Sequence, residues 1–225
     1  MPGKGTRALE HPTVGVLIIA MCALFVFETT HGLQLSERWG ATPARIKQAW
    51  RGLREDGMSL AETRVLSTVV TAGLLHGSTE HIVYNMVFLW TFGSLASLYL
   101  GKWWVLALFF LCDACGNVTQ TLLNSNSEIP IIGASGAVSG FEGVYLGLAL
   151  SWRLNWPHVW PLARPIPPMQ LGLFALVGFG YDLVSIMNRK QGIAFGAHVG
   201  GFLAGLLVAG IITALCPSQE AFRRH

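Results

Sequence analysis

The sequence predicts an all-α, polytopic membrane protein, and three observations lead to that fold class. The 225-residue chain is 52% hydrophobic and only 12% charged, whereas soluble domains are about 25% charged. Its mean hydropathy is +0.50. The apolar residues also fall into six separate runs of membrane-spanning length, divided by short breaks that contain polar residues, glycine or proline.

The six apolar runs define the predicted spans. The first begins at Thr13 and continues past Phe27. No small-residue cleavage site follows it, so we interpret it as a retained span rather than a signal peptide. The other five cover residues 79–100, 103–123, 135–152, 169–187 and 197–215. The predicted membrane domain therefore covers residues 13–215, between a basic leader (1–12) and a tail (216–225).

A long polar segment, residues 29–78, connects the first two spans. Thr42-Pro43 is typical of a helix N-terminus, and Ser59-Leu60-Ala61-Glu62 matches a capping box. Tryptophans interspersed with arginines and lysine favour short helices at a membrane surface. An ordinary solvated loop explains this composition equally well.

The charged residues between the spans predict the orientation. Six spans place both termini on one side, and the positive-inside rule then compares the loops. The leader, the tail, Lys102, Arg153 and Arg164 lie on one side, against Arg189 and Lys190 on the other. We therefore predict that both termini are cytoplasmic, in a bacterial inner membrane.

Composition also bears on cofactors and partners. A formal net charge of +3 is small, so the sequence does not indicate nucleic-acid binding. All four cysteines fall in apolar runs, and buried thiols are typical of that setting. No second ligand pair accompanies Cys112 and Cys115, so we predict neither a metal site nor a cofactor.

Several polar residues occur near the starts of even-numbered spans. Ser135 lies within Gly133-Ala134-Ser135-Gly136, and such a small-residue patch is by itself more typical of a helix–helix contact. His81 and Asn85 share one face of the second span, and His198 begins the sixth. Because these spans start on the same side of the membrane, the polar groups are predicted to lie at one depth.

The fourth and sixth spans are also predicted to pack closely. Each carries a Gly-x-x-x-Gly pair, Gly136/Gly140 and Gly201/Gly205. Close packing would bring Ser135 toward His198, whose imidazole can accept the hydroxyl proton and return it to a leaving amine. Free N–H groups at a helix N-terminus can stabilise an oxyanion. The pattern predicts a catalytic serine and histidine.

These residues resemble the rhomboid family of intramembrane serine proteases over roughly residues 76–205. The matching elements lie on spans two, four and six: His76-x4-His81-x3-Asn85, then Gly133-Ala134-Ser135-Gly136, then Ala197-His198 with Gly201 and Gly205. The resemblance implies a six-helix bundle with a water-filled cavity open to the outer face.

The same resemblance implies a catalytic Ser135–His198 dyad without a third acid, and no acidic partner is evident at that depth in the sequence. It implies that His81, Asn85 and Gly133 belong to the oxyanion or substrate-binding site, together with the backbone N–H of Ser135. The implied partners are membrane lipid and transmembrane protein substrates, cleaved near the outer membrane surface without a cofactor.

Three features depart from the family pattern. Ser139 stands where many members have an aromatic residue that packs on the histidine, a Trp-Arg pair before the first histidine is absent, and Glu142 replaces an apolar residue. We expect Glu142 to hydrogen-bond between helices; alternatively, Ser139 or Glu142 orients His198. Structural hydrogen bonds are expected for Asp113 and Asp182.

The sequence thus predicts an intramembrane serine endopeptidase. A catalytically silent rhomboid-like protein that binds transmembrane helices is one alternative, and a small channel or transporter with a polar midplane is another. The loops at 124–130 and 188–196 are expected to cover the cavity, with Gly192 and Gly196 as hinges.

Overall fold

The computed structural model describes residues 12–55, 57, 59–155 and 166–222, and within these ranges the chain is helical without a β-strand. The helices are α1 (Pro12–Thr30), α2 (Leu35–Trp39), α3 (Pro43–Glu55), α4 (Leu60–Thr71), α5 (Thr79–Phe88), α6 (Ser94–Leu100), α7 (Lys102–Leu123), α8 (Ser135–Ser151), α9 (Pro168–Met187), α10 (Phe195–Leu215) and α11 (Gln219–Phe222). A π-helical segment, Leu89–Gly93, joins α5 to α6. The predicted all-α class is confirmed.

A helix occupies each of the six predicted spans. Five helical stretches in the described residues are long and apolar enough to cross a membrane: Pro12–Thr30, Thr79–Leu100, Lys102–Leu123, Pro168–Met187 and Phe195–Leu215. The second of them consists of α5, the π-helical segment and α6. The remaining one, α8, has 17 residues, which is at the short end of the range of about 17–25 for a spanning helix. The polytopic architecture is therefore confirmed, with α8 as its shortest member.

The short helix α8 lies at the centre of the bundle. It packs against α7 and α9, and most extensively against α10. The five largest fully buried side chains are aromatic and lie on α8 itself or on neighbouring elements: Phe141 and Tyr145 on α8, Phe92 in the π-helical segment, Phe109 on α7 and Phe202 on α10. By contrast, α1 and α9 expose apolar side chains such as Val16, Ile19, Phe174 and Val177, as expected of helices that face lipid.

Glycine allows α8 and α10 to approach each other closely. A Cβ on residue 201 would overlap the carbonyl oxygen of Gly136. The predicted glycine-mediated packing of the fourth and sixth spans is therefore confirmed. In this contact, Gly136 follows Ser135 by one residue and Gly201 follows His198 by three. The contact therefore keeps the two candidate catalytic residues on adjacent helices.

The polar segment between the first two spans is folded. It contains α2, α3, α4 and a 3₁₀ turn, Ala72–Leu74. As predicted, α3 begins at Pro43, and Ser59 caps α4 by accepting a hydrogen bond from the Ala61 N–H at 3.2 Å. The alternative of a solvated loop is wrong, because the capping signals and an apolar face fold this segment onto the rest of the protein.

This folded segment packs against the loop that leads to Ser135. Ala41 and Ile131 exchange two backbone hydrogen bonds of 3.0 Å, and the Ala44 N–H donates to the Ser127 carbonyl at 3.0 Å. A small second core covers the contact and consists of Ala41, Ile46, Val69, Ala72, Ile131 and Ala197. The segment thereby fixes the path of the chain just before Ser135.

A buried carboxylate on α7 strengthens the same region. Asp113 accepts hydrogen bonds from the Gly73 N–H at 3.1 Å and from Nδ2 of Asn117 at 2.9 Å. The second Nδ2 hydrogen of Asn117 reaches the Val69 carbonyl at 2.9 Å. The structural hydrogen bonds expected for Asp113 are confirmed, and they join α7 to the end of α4.

Some predicted features lie outside the described residues. These are residues 1–11 of the basic leader, residues 156–165 of the break before α9, including Arg164, and residues 223–225 of the tail. The proposed leader, tail and domain bounds stay predictions.

Candidate active site

A cavity of about 1160 Å³ lies among the N-terminal ends of α5, α8 and α10 and one side of α9. Its wall includes four of the predicted site residues, Ser135, His198, His81 and Asn85. Residues of the 124–130 and 188–196 loops also line it, as expected for covering loops. The structure therefore gathers side chains from three separate spans around one space.

Ser135 is the first residue of α8. The preceding residue, Ala134, is the N-cap and has no side-chain cap, and the first helical hydrogen bond runs from the Val138 N–H to the Ala134 carbonyl at 2.9 Å. The N–H groups of the first turn therefore have no partner within the helix. Together with the partial positive charge of a helix N-terminus, they form a site that favours a negatively charged oxygen.

His76 supports the turn before Ser135. Its side chain is buried, and its Nε2 lies 3.4 Å from the Ala134 N–H, which donates to it. Burial, followed by the positive charge that His81 can carry, lowers the pKa of His76 to about 4. At neutral pH the imidazole is uncharged and has one acceptor nitrogen; because the Ala134 N–H donates to Nε2, that acceptor is Nε2.

Gly133 lies beside the cavity and in direct contact with His81. Its φ of +106° is a backbone conformation that residues with a side chain rarely adopt, and a Cβ there would overlap the His81 ring. The Gly133 N–H donates to the Ala72 carbonyl at 3.3 Å. Glycine at this position thus lets the turn before Ser135 run against the imidazole.

Asn85 and His81 lie one turn apart on α5. The His81 N–H donates to Oγ of the N-cap Ser78 at 3.1 Å, and Nδ2 of Asn85 donates to the His81 carbonyl at 2.8 Å. An amide NH₂ group has two hydrogens, so one N–H of Asn85 remains after this bond. The predicted helix face is therefore formed and still carries a hydrogen-bond donor.

His198 lies in the first turn of α10 and has an acidic partner. Its Nδ1 is 3.2 Å from Oδ2 of Asp182 on α9, within hydrogen-bond distance. The expectation that no acid lies at this depth is therefore wrong. Phe195, three residues earlier on α10, places its ring edge-on to the imidazole with centroids 6.3 Å apart. Among the described residues, no hydrogen bond joins Ser135 to His198.

Ser139 and Glu142 both line the cavity. Neither makes a hydrogen bond with another residue in the described part of the chain, so the interhelical bond expected for Glu142 is wrong. The alternative in which one of these two residues orients His198 is also not supported, because Asp182 holds that ring. The sequence signal that marks Asp182 is an acidic residue within an apolar span. The sequence of that span does not show which residue of a neighbouring helix Asp182 faces.

Gly196 does not lie in a mobile loop. It is part of the first turn of α10, and its N–H donates to Oε1 of Gln120 on α7 at 2.8 Å. A Cβ there would also press on the Gln120 and Leu123 side chains. The predicted hinge at Gly196 is therefore wrong, because this residue anchors α10 to α7. Gly192 has open space around it and a φ of +90°.

The fold and the site together define a polytopic, all-α membrane protein with a serine and a histidine facing one cavity at one end of the bundle. A family model described as the rhomboid domain matches residues 63–215, which is more than half of the chain. This chain belongs to the rhomboid family.

A curated relative in the same family is the RHOMBOID-like protein 12, mitochondrial, of Arabidopsis thaliana. The two are 28% identical over 152 residues, which cover 60% of this chain and 43% of the relative. The chain therefore spans less than half the length of this relative.

Proposed function

We propose that this protein is an intramembrane serine endopeptidase that cleaves transmembrane segments of other membrane proteins with Ser135 and His198. One observation carries the proposal: both side chains line a single cavity, together with His81 and Asn85, on two helices whose backbones touch at glycine. Polar groups inside a membrane are costly and are usually retained for function. A serine paired with a histidine in a water-accessible cavity is suited to peptide hydrolysis.

In the proposed reaction, Oγ of Ser135 attacks the carbonyl carbon of the scissile peptide bond. His198 takes the hydroxyl proton on Nε2 and delivers it to the leaving amine as the C–N bond breaks. The acyl-enzyme then reacts with a water molecule, which gives its proton to His198 and releases the carboxylic acid product. The proton finally returns to Ser135.

The oxyanion of the tetrahedral intermediate would be stabilised by donors on two helices. The Ser135 N–H belongs to the unpartnered first turn of α8, and the Asn85 amide keeps one hydrogen beyond its bond to the His81 carbonyl. His81 lines the same cavity, and Gly133 keeps the adjoining turn free of a side chain. Such pre-oriented donors typically contribute about 10²–10³-fold each to the rate.

The membrane and the orientation are also proposals. The loop charges favour both termini on the cytoplasmic side. A bacterial inner membrane is the proposed location, whereas the Arabidopsis relative is named as a mitochondrial protein. Fluorescent-protein fusions at each terminus, combined with protease protection, would test the orientation. Transmembrane proteins and surrounding lipid are the proposed partners.

A catalytically silent rhomboid-like protein that binds transmembrane helices is the second candidate. The specific observation in its favour is that Ser135 and His198 share the cavity without a hydrogen bond between them in the described residues. Catalytic hydrogen bonds are, however, often long in ligand-free proteins and tighten when substrate binds. We therefore keep the protease as the main proposal.

The test combines a fluorophosphonate probe with cleavage of a reporter transmembrane protein in lipid vesicles. Wild type is expected to be labelled and to cleave the reporter, and Ser135→Ala and His198→Ala should each lower the rate by about 10³-fold or more. Matched controls are Ser151→Ala, at the exposed far end of α8, and His31→Ala, at the exposed residue that follows α1. Both should behave like wild type.

Thermal unfolding of each variant shows that it is folded. A folded wild type that neither labels nor cleaves, but still captures the reporter, would establish the silent binder instead. Transport across the vesicle membrane that persists in Ser135→Ala would favour the channel or transporter.

A further inference from the structure

Within the described residues, the His198 ring makes one hydrogen bond, and its partner is Asp182. Oδ2 of Asp182 lies 3.2 Å from Nδ1 of His198, and the two side chains are 13% and 19% exposed. The residues come from different helices, α9 and α10, and both line the cavity that contains Ser135. The contact is therefore a tertiary one, built at the candidate active site.

The chemistry of this contact bears on which ring nitrogen carries the proton. A carboxylate oxygen accepts hydrogen bonds, so a neutral imidazole bonded to it through Nδ1 would hold its hydrogen on Nδ1. Nε2 then keeps its lone pair, which is the form that a general base needs. When Nε2 accepts a proton from Ser135, the carboxylate also lies next to the imidazolium that forms.

We propose that Asp182 is a positioning residue for the reaction, and that it holds His198 in the tautomer and orientation in which Nε2 can accept the Ser135 proton. This inference rests on the proposed protease function. It replaces the two-residue catalytic unit predicted from the sequence with a serine, a histidine and an orienting carboxylate.

Other polar groups around the cavity do not compete for Nδ1. The titratable or charged side chains that line it come from α5, α8 and the loop before α10, and are Tyr84, His81, Glu142, Arg189 and Lys190. None of them makes a hydrogen bond to His198 in the described part of the chain. Phe195 contacts the ring edge-on but offers no acceptor. Asp182 is thus the group that can select the tautomer.

A purely structural role is the competing explanation. In that case the bond would only join α9 to α10, and its loss would lower stability without a specific change in turnover. The two roles predict changes in different measured quantities. A positioning residue changes kcat at nearly constant KM, and a residue that only joins helices changes the unfolding temperature.

The test compares Asp182→Asn, Asp182→Glu and the control Ser185→Ala in the full chain reconstituted in vesicles. Ser185 lies one turn away on α9, is buried, and its hydroxyl has no hydrogen-bond partner among the described residues. Cleavage of the reporter protein gives kcat and KM, and thermal unfolding gives stability. Asp182→Asn should lower kcat by about 10- to 10³-fold and leave KM within about twofold of wild type. This loss of kcat is smaller than the loss of about 10⁴-fold that follows when the buried carboxylate of a catalytic triad is replaced.

The other variants complete the comparison. Asp182→Glu keeps the charge and should recover a substantial part of the lost kcat, and Ser185→Ala should match wild type. Nitrogen-15 NMR of histidine-labelled protein, with the His198 signal identified by its absence in His198→Ala, reads the tautomer without any activity. Wild type should show the Nδ1–H form, and Asp182→Asn should show a mixture.

The failures of the two proposals can be told apart. An active wild type whose kcat is unchanged in Asp182→Asn, or whose His198 is in the Nε2–H form, overturns the positioning role and leaves the protease proposal intact. A lower unfolding temperature with unchanged kcat overturns it in favour of the structural contact. A folded wild type that neither labels nor cleaves overturns both.

Discussion

The carbonyl oxygen of Gly140 on α8 occupies the place where a Cβ on residue 205 of α10 would lie. The obstacle is backbone, so no side-chain rotation can relieve it. We expect Gly205→Ala to push the two helices apart and to lower the free energy of unfolding by about 1–3 kcal/mol. Equilibrium unfolding in mixed micelles measures this change.

Gly210 provides the matched control for this variant, because it lies on the same helix and a methyl group added there would meet no atom of the described residues within 4 Å outside the local backbone of α10. Gly210→Ala should be neutral, or should stabilise α10 by up to about 1 kcal/mol. Equal destabilisation by the two variants would contradict the importance of the Gly140 contact.

Gly133→Ala should impair the site more than the fold. The alanine would have to adopt a φ of +106° and its methyl group would displace the His81 ring. We expect cleavage to fall by about 10-fold or more, since misplacing active-site groups by about 1 Å can lower the rate about 10²-fold. Kinetics with the reporter protein would measure this loss.

Gly101→Ala separates backbone strain from the collision with His81. Gly101 has a similar φ of +102°, but a methyl group there meets no atom of the described residues within 4 Å apart from its chain neighbours. This variant should lose about 1–2 kcal/mol of stability from the left-handed conformation and keep its activity. If Gly101→Ala loses as much activity as Gly133→Ala, the contact with His81 is not the cause.

His76 should make stability depend on pH in a defined window. The folded protein favours the neutral imidazole, because burial lowers its pKa from 6.5 to about 4. Above pH 6.5 the stability is fully present; as the pH falls from 6.5 toward 4, the unfolded chain binds a proton that the folded chain does not, and stability is lost. The total loss is about 3 kcal/mol.

The measurement is thermal unfolding in detergent across this pH range, comparing wild type with His76→Gln. Glutamine can still accept the Ala134 N–H but does not titrate. The variant should show a flatter pH dependence. An identical slope in both proteins would assign the effect to other groups.

Gln120 should influence activity through the start of α10. Its Oε1 accepts the Gly196 N–H at 2.8 Å, two residues before His198. In Gln120→Met this N–H loses its partner at a cost of about 1–3 kcal/mol, and the first turn of α10 becomes less fixed. We expect kcat/KM to fall by about 10-fold; Gln48→Met, on the exposed face of α3, is the control.

Hydropathy and short-range patterns were sufficient for much of this molecule. The spans, the helix starts at Pro43 and Leu60, and the placement of Ser135 at the beginning of α8 follow from local composition and capping. The common depth of His81, Ser135 and His198 follows from counting spans. These features depend on residues near each other in the chain, so the sequence predicts them.

Other features depend on how the helices are rotated against one another. The sequence did not predict that Asp182 faces His198, that Glu142 lacks an interhelical partner among the described residues, or that Gln120 holds Gly196. An apolar membrane span has a weak polar–apolar periodicity, because lipid and protein interior are both apolar. The side of such a helix that faces the protein interior is therefore difficult to predict from its sequence.

The sequence by itself determined that this chain crosses the membrane as an all-α bundle and that it carries a serine, two histidines and an asparagine at one end. The tertiary structure alone decided that residues 29–78 fold against the loop before Ser135, and that a carboxylate from α9 meets His198. In lipid, backbone N–H and C=O groups must find partners within their own segment, so helices form from local sequence. The partners of side chains depend instead on how distant segments pack, for example at the glycine contact between α8 and α10.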